Sequence, residues 1–315
     1  MSDTNDWTVG RLLTWTTDYL KQHGAASPRL DAEVLLAAAR SCQRIELYTA
    51  FDQIADEATR TVFRDFVRRR AAGEPVAYLV GHREFFSLSF QVTRDVLIPR
   101  PETEHLVVEC LDLVKLRPTA AEQAEVADAG TSGLQPPDAR APHRQVHLAD
   151  VGTGSGAIAV SVAKHAPDCR VTAIDISSSA LDVARTNAEQ HQVTEHIEFL
   201  RSDLLAEIPP DVQFDVIASN PPYVSQPEWE QLSAEVKDFE PKLALVGGPT
   251  GSELIGRLIP QAAEHLRGAG WLLMEISPMT EAAVRQQLMQ DGRFTSIQTV
   301  KDLAGLARVI KAQRQ

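Results

Sequence analysis

Apolar residues recur at three- and four-residue steps between Thr8 and Gly24, at Leu12, Leu13, Trp15, Tyr19 and Leu20. That spacing predicts an amphipathic helix, with Thr8 placed to cap its first turn. Ser27-Pro28 reads as a second helix start, because proline is tolerated where the first helical N–H has no partner. A later stripe, Val62, Phe63, Phe66 and Val67, is ringed by Arg60, Arg64, Arg68, Arg69 and Arg70. These arginines are expected to form a solvated face, the alternative being a contact patch for RNA or an acidic partner. Residues 1–72 are therefore expected to form a small helical domain.

From Gly73 the period changes. Phe86, Leu88, Phe90 and Val92 alternate with Ser87, Ser89 and Gln91, the pattern of a strand with one buried face. With the apolar run 76–80 before it, the segment 73–100 is expected to be a β-hairpin linker. Pro99 and Pro101 flank Arg100 and hold an extended path into a helix starting near Glu102, where Glu102 and Glu104 suit the positive helix end. Residues 118–145 show neither period and read as a flexible surface insertion. After them, strands expected at 146–150, 171–175, 197–200, 214–219 and 271–276 alternate with helices, the last two strand-like runs lying near 296–300 and 307–310. Such alternation over 101–315 predicts a mostly parallel sheet with helices on both faces and ligands at the carboxyl ends of its strands.

Composition narrows the class. The 315 residues are 43% hydrophobic, enough for two globular domains and too apolar for a disordered chain. The formal net charge is −12, and the acidic excess falls after residue 100. An acidic field repels phosphate backbones, so stable nucleic-acid binding is not expected there. No apolar run approaches the ~20 residues that span a bilayer, and the first residues are neither basic nor apolar, so a cytoplasmic protein off the membrane is expected. Cys42, Cys110 and Cys169 lack metal or disulfide spacing, and no metal is expected.

Two constellations carry chemistry. The first, Asp150-Val-Gly152-Thr153-Gly154-Ser155-Gly156, lies where a strand meets a helix. Glycines let the backbone turn and approach a ligand, and helix amides behind them favour electron-rich groups. Asp175 ends the next strand, where a carboxylate can accept from both hydroxyls of a ribose. Gly152, Gly154 and Ala157 also satisfy a dinucleotide fingerprint, so an NAD enzyme is a rival reading. Asp150 weighs toward S-adenosylmethionine, because a carboxylate beside the loop suits an ammonium and repels a pyrophosphate. Asp203, at the end of the third strand, could accept from an adenine amino group with Leu204 against the ring.

The second constellation is Asn220-Pro221-Pro222-Tyr223, closing the fourth strand. The Asn220 side-chain oxygen and the Pro221 carbonyl can accept both hydrogens of a planar NH2 group, with Tyr223 as a flat wall. Asn220, Pro221 and Tyr223 are the candidate catalytic residues, and Pro222 joins them in binding substrate. Asn220 also counts, with Asp150, Gly152, Thr153, Gly154, Ser155, Gly156, Asp175, Asp203 and Leu204, among the cofactor-site candidates.

Together these motifs resemble class I S-adenosylmethionine-dependent methyltransferases that methylate planar amide or exocyclic amino nitrogens. Upstream, Gly73-Glu-Pro-Val-Ala-Tyr-Leu79, Glu84-Phe85 and Val96-Leu-Ile-Pro-Arg-Pro-Glu-Thr-Glu104 resemble the bacterial release factor glutamine methyltransferase family (PrmC/HemK). The resemblance implies a Rossmann-like, seven-stranded, mostly parallel sheet behind a helical substrate-recognition domain. It further implies transfer of a methyl group from S-adenosylmethionine to the N5 amide of the GGQ glutamine of class 1 peptide release factors. The glutamine methyltransferase of ribosomal protein L3 and an adenine amino-methyltransferase are the alternatives. Two departures from the family pattern are the long 118–145 insertion and Ser277-Pro278, where a glycine usually follows the isoleucine.

Overall fold

The computed structural model describes residues 6–115 and 145–315. The expected insertion 118–145 therefore lies, but for its last residue, outside the described residues. The chain divides into two compact units. One runs to Arg83 and also takes in Val92–Arg94 and Leu232–Glu240; the other comprises Glu84–Gln91, Asp95–Gln231 and Pro241–Gln315.

The first unit is helical: Val9–Gln22, Pro28–Ala39, Glu57–Ala71 and two short turns. Thr8 caps the first helix by accepting from the Arg11 amide, and Asp56 caps the third through Thr59. Val9, Leu13, Leu20, Leu35, Leu36, Phe63 and Val67 close a shared core. Arg70 departs from the expected solvated face. It is buried, with Nε 2.8 Å from Asp31 and Nη1 3.1 Å from Glu235. A guanidinium leaves water only where carboxylates replace its hydration, and Asp31 and Glu235 do that here.

Residues 76–80 also differ from expectation, forming a one-turn helix between Pro75 and Gly81 rather than a strand. A five-residue apolar run has no decisive period; Pro75 starts the turn and Gly81, at φ 79°, ends it in the left-handed region. The hairpin is β1 (His82–Phe85) and β2 (Leu88–Gln91), with Phe86 and Ser87 both at positive φ in the connecting turn. That turn interrupts the alternation, so Phe85 and Phe90 are buried while Phe86 is only partly so.

The second unit is built on seven strands: β3 (Val146–Val151), β4 (Cys169–Asp175), β5 (Ile197–Arg201), β6 (Phe214–Ser219), β9 (Leu266–Glu275), β10 (Phe294–Lys301) and β11 (Ala307–Arg314). A small separate pair, β7 (Val224–Ser225) and β8 (Val246–Gly248), follows the fourth strand of the main sheet. The main order is β10-β11-β9-β6-β3-β4-β5, with β9, β6, β3, β4 and β5 parallel and β11 and β10 antiparallel. Neighbouring residues of β3 point to opposite faces: Leu148 packs with Leu106, Ala159 and Val162, and Ala149 with Ile217, Ile255 and Leu258. Each such fully buried aliphatic side chain is worth about 1.5–3 kcal/mol, so both sheet faces are firmly held.

Candidate functional site

Strand register gathers the motifs. Val151 pairs with Ile174 on β4 and Ser219 on β6, Asp175 pairs with Arg201 on β5, and Ser219 pairs with Met274 on β9. The residues that follow, Gly152, Asp203, Asn220 and Glu275, thus leave adjacent parallel strands at one edge, the carboxyl edge where open α/β sheets hold ligands.

The glycine loop is wound tightly, with Gly152 at φ 76°, Gly154 at 55° and Gly156 at 80°. At Gly156 a Cβ would also sit 3.1 Å from the Ala184 Cβ, so only glycine brings the loop onto the neighbouring helix Ser178–Gln190. Asp150 is fully buried; its Oδ2 accepts from Thr153 Oγ1 at 2.7 Å and from the Ala159 amide at 3.0 Å. Its Oδ1 is buried without a hydrogen-bond partner. Burial outweighs these two donors and pushes the Asp150 carboxyl up to about 7. Ser155 is buried, and its carbonyl accepts from Asn187 Nδ2 at 2.8 Å.

Asp175 accepts from the amides of Gly154 and Ser177, both at 2.9 Å, tying its strand end to the glycine loop. Asp203 is held by Arg257 at 2.6 Å through Oδ2. Leu204 behind it is largely buried at φ 56°, a conformation that costs a leucine about 1–2 kcal/mol. Such strain persists where the surroundings demand it, often beside a ligand.

Asn220 is half-buried, and its Nδ2 donates to Thr103 Oγ1 at 3.1 Å. Pro221 is buried, Pro222 and Tyr223 partly so. Tyr223 Oη donates to Glu275 Oε1 at 3.1 Å. Two glycines make room for this segment: a Cβ on Gly247 would run into the Pro222 carbonyl oxygen, and one on Gly251, at φ 85°, into that of Tyr223. The segment 220–223 thus begins beside the glycine loop, with the Asn220 carbonyl oxygen 4.0 Å from where a Gly152 Cβ would stand.

Two family models match the chain: PrmC N-terminal domain over residues 11–81 and Methyltransferase small domain over 124–236. The release factor glutamine methyltransferase of Rhodopirellula baltica is 47% identical over 99% of this chain and 98% of its own length. The chain belongs to the release factor glutamine methyltransferase family. The relatives from Koribacter versatilis (40% identical, covering 94% of this chain and 95% of theirs) and Nitratidesulfovibrio vulgaris (37%, 99% and 97%) carry the same description. A member of this family is an S-adenosylmethionine-dependent methyltransferase, which removes the NAD reading of the glycine loop. Among solved structures, the hMettl16 catalytic domain in complex with MAT2A 3'UTR hairpin 1 matches with TM-score 0.53 at 14% identity, over 77% of this chain and 79% of that one. At that identity the likeness concerns the class I methyltransferase fold alone. Among the described residues no helix is long and apolar enough to cross a membrane, and no group of three His, Cys, Asp or Glu could hold a metal.

Sequence reasoning missed Thr103, Glu275 and the glycines 247 and 251. Thr103 sits among acids whose helix-capping role explained the motif without it. Glu275 had a visible signal, a lone acid closing the apolar run Trp271–Met274.

Proposed function

We propose that this chain transfers a methyl group from S-adenosylmethionine to the N5 side-chain amide nitrogen of the glutamine in the GGQ motif of class 1 peptide release factors, acting in the cytoplasm. The observation that carries this reading is the orientation of Asn220: with Nδ2 committed to Thr103, its Oδ1 is the atom left to accept from a planar NH2 group. The Pro221 carbonyl supplies the second acceptor, and Tyr223 the wall.

S-adenosylmethionine supplies an electrophilic methyl group on a sulfonium. The residues around the loop suit it. The buried, unpartnered Asp150 Oδ1 fits a donor such as the methionine ammonium, and the loop 152–156, with Thr153 and Ser155, carries backbone donors. Each Asp175 oxygen accepts one amide and retains a lone pair for a ribose hydroxyl. Asp203 Oδ1 remains for an adenine amino group, with Leu204 against the ring. On the substrate side, an amide nitrogen is a poor nucleophile because its lone pair is delocalised. Hydrogen bonds accepted by Asn220 and Pro221 fix the plane of the NH2 group, so that the lone pair perpendicular to it faces the sulfonium methyl, and stabilise the positive charge that develops on nitrogen. No base is needed before transfer, because the methylated amide cation loses its proton to water.

The helical unit is assigned to substrate recognition, and the acidic charge of 101–315 favours encounter with a basic protein loop over bare nucleic acid. Methyl transfer from tritiated cofactor to a release factor and to its GGQ→GGA variant tests the reading. Label is expected on the first alone; equal labelling of both would refute the site. Asn220→Ala is expected to keep cofactor affinity and lose transfer, as read by calorimetry and labelling.

A further inference from the structure

Around Asn220 lies a hydrogen-bond chain that the transfer chemistry above does not use. Asn220 Nδ2 donates to Thr103 Oγ1 at 3.1 Å, the Thr103 hydroxyl bonds the Glu275 carboxyl, and Glu275 Oε1 accepts from Tyr223 Oη at 3.1 Å. Glu275 is buried, and its Oε2 has no hydrogen-bond partner. It is the residue on β9 that follows Met274, the register partner of Ser219, and so leaves the sheet beside Asn220.

Direction along this chain is forced by what each group can do. A carboxylate only accepts, so an ionised Glu275 takes the Thr103 hydroxyl hydrogen for itself. Thr103 Oγ1 then has only lone pairs to offer Asn220, and the NH2 end of the Asn220 amide is the end that can meet them. The Oδ1 end is left facing away from Thr103. Reverse the Thr103 hydroxyl and the amide turns over, presenting two donors where an acceptor is required.

We propose that Glu275 is a positioning residue for methyl transfer, acting through Thr103 to hold the Asn220 amide with Oδ1 toward the substrate and through Tyr223 to fix the wall beside it. The inference rests on the glutamine-methylation reading, since that chemistry sets the need for an acceptor.

The lock depends on charge. A neutral Glu275 can donate to Thr103 as readily as accept, and then dictates nothing. Burial and the nearby Glu102 push the Glu275 carboxyl up to about 7, against the pull of Thr103, Tyr223 and Arg308. Arg308 is itself paired with Asp302, and Arg100 and Glu102 act on Tyr223, whose phenol burial and Glu275 hold in the protonated, donating form. The orienting state therefore fills as pH rises through about 7. Asp150 titrates in the same range, so its effect on cofactor affinity must be removed by saturation.

The test is kcat at saturating S-adenosylmethionine and release factor between pH 6 and pH 8, with Glu275→Gln, Thr103→Val and Thr103→Ser. The wild type is expected to lose about tenfold from pH 8 to pH 6, following the ionised fraction. Glu275→Gln and Thr103→Val are each expected to be about tenfold slower at pH 8 with a flat profile and unchanged cofactor affinity, and Thr103→Ser to restore the wild-type rate and profile. A flat wild-type profile, a fully active Glu275→Gln, or a Thr103→Ser as slow as Thr103→Val would overturn the proposal. A second readout needs no substrate: in protein labelled with 15N-asparagine, the Asn220 side-chain NH2 is expected to exchange slowly in the wild type and Thr103→Ser and fast in Thr103→Val. Fast exchange in the wild type would overturn the lock even if methylation proceeds. Absence of any release factor labelling beside slow exchange would instead refute the proposed function and leave the lock standing.

Discussion

Asp150 shows how one side chain can serve folding and ligand binding in opposite senses. In the apo protein its carboxyl is raised to about 7 by burial, and one oxygen has nothing to bond. A cationic ammonium favours the ionised form, so binding must expel the proton wherever the apo residue still holds it. Affinity for S-adenosylmethionine is therefore expected to rise as pH increases through about 7, with proton release on binding below that point. Calorimetry at pH 6 and pH 8 checks this, and Asp150→Asn is expected to bind weakly at both with no pH dependence. The placement of Asp150, Asp175, Asp203 and 220–223 was legible in the sequence because each lies at or just beyond a strand end, and strand ends are visible in the apolar pattern. Thr103 and Glu275 were not, since their importance comes from a hydrogen-bond chain spanning 103 to 275.

At the scale of elements, the loop after β8 does for Asn220-Pro-Pro-Tyr223 what the glycines 152–156 do for the first motif. Gly251 combines a left-handed φ of 85° with a backbone that lies against the Tyr223 carbonyl, so any side chain must displace the segment 220–223. Gly251→Ala is expected to lower kcat by at least about tenfold while leaving cofactor affinity within a few-fold, a split that steady-state kinetics and calorimetry resolve. Elements of the sheet were legible to within a residue or two, except β9, which begins at Leu266 rather than near Trp271, and β11, which runs on to Arg314 rather than ending near Ile310. The hairpin was legible only in outline. Two successive positive-φ residues, Phe86 and Ser87, neither of them glycine, form a turn that composition does not announce. Likewise the Gly247–Gly251 cluster reads as an ordinary loop until the chain it touches is known.

Across the whole molecule, pH pulls on stability from two directions. Glu74, buried between Arg69 and Arg94, is lowered to about 2, so its contribution is complete above the ordinary glutamate value and is lost as pH falls toward 2. Asp150 and Glu275 are raised to about 7, so the native state holds protons that the unfolded chain releases; their contribution declines as pH rises from about 4 to about 7. Thermal unfolding of the apo protein is expected to be most resistant where these windows meet, near pH 4–5, and saturating S-adenosylmethionine to raise the midpoint more at pH 8 than at pH 6. Glu74→Gln, which leaves two guanidinium groups short of a partner, is expected to cost about 2 kcal/mol in denaturant titration at neutral pH. Two units were legible from the change of period at Gly73. That residues 232–240 belong with the helices was not, because contacts distant in sequence, such as Glu235 on Arg70 and Phe239 beneath Arg94, reveal it.

That membership has a consequence for how the protein is made. The first helices leave the ribosome long before residues 232–240 exist, and at about 5–20 residues per second the 165 positions from Arg70 to Glu235 take roughly 10–30 s. For that interval Arg70 has one carboxylate, Asp31, and the Glu74 carbonyl, but not Glu235. The amino-terminal unit, first to be synthesised, is thus among the last to be completed, and its final piece arrives on the same stretch of chain that has just delivered Asn220-Pro-Pro-Tyr223.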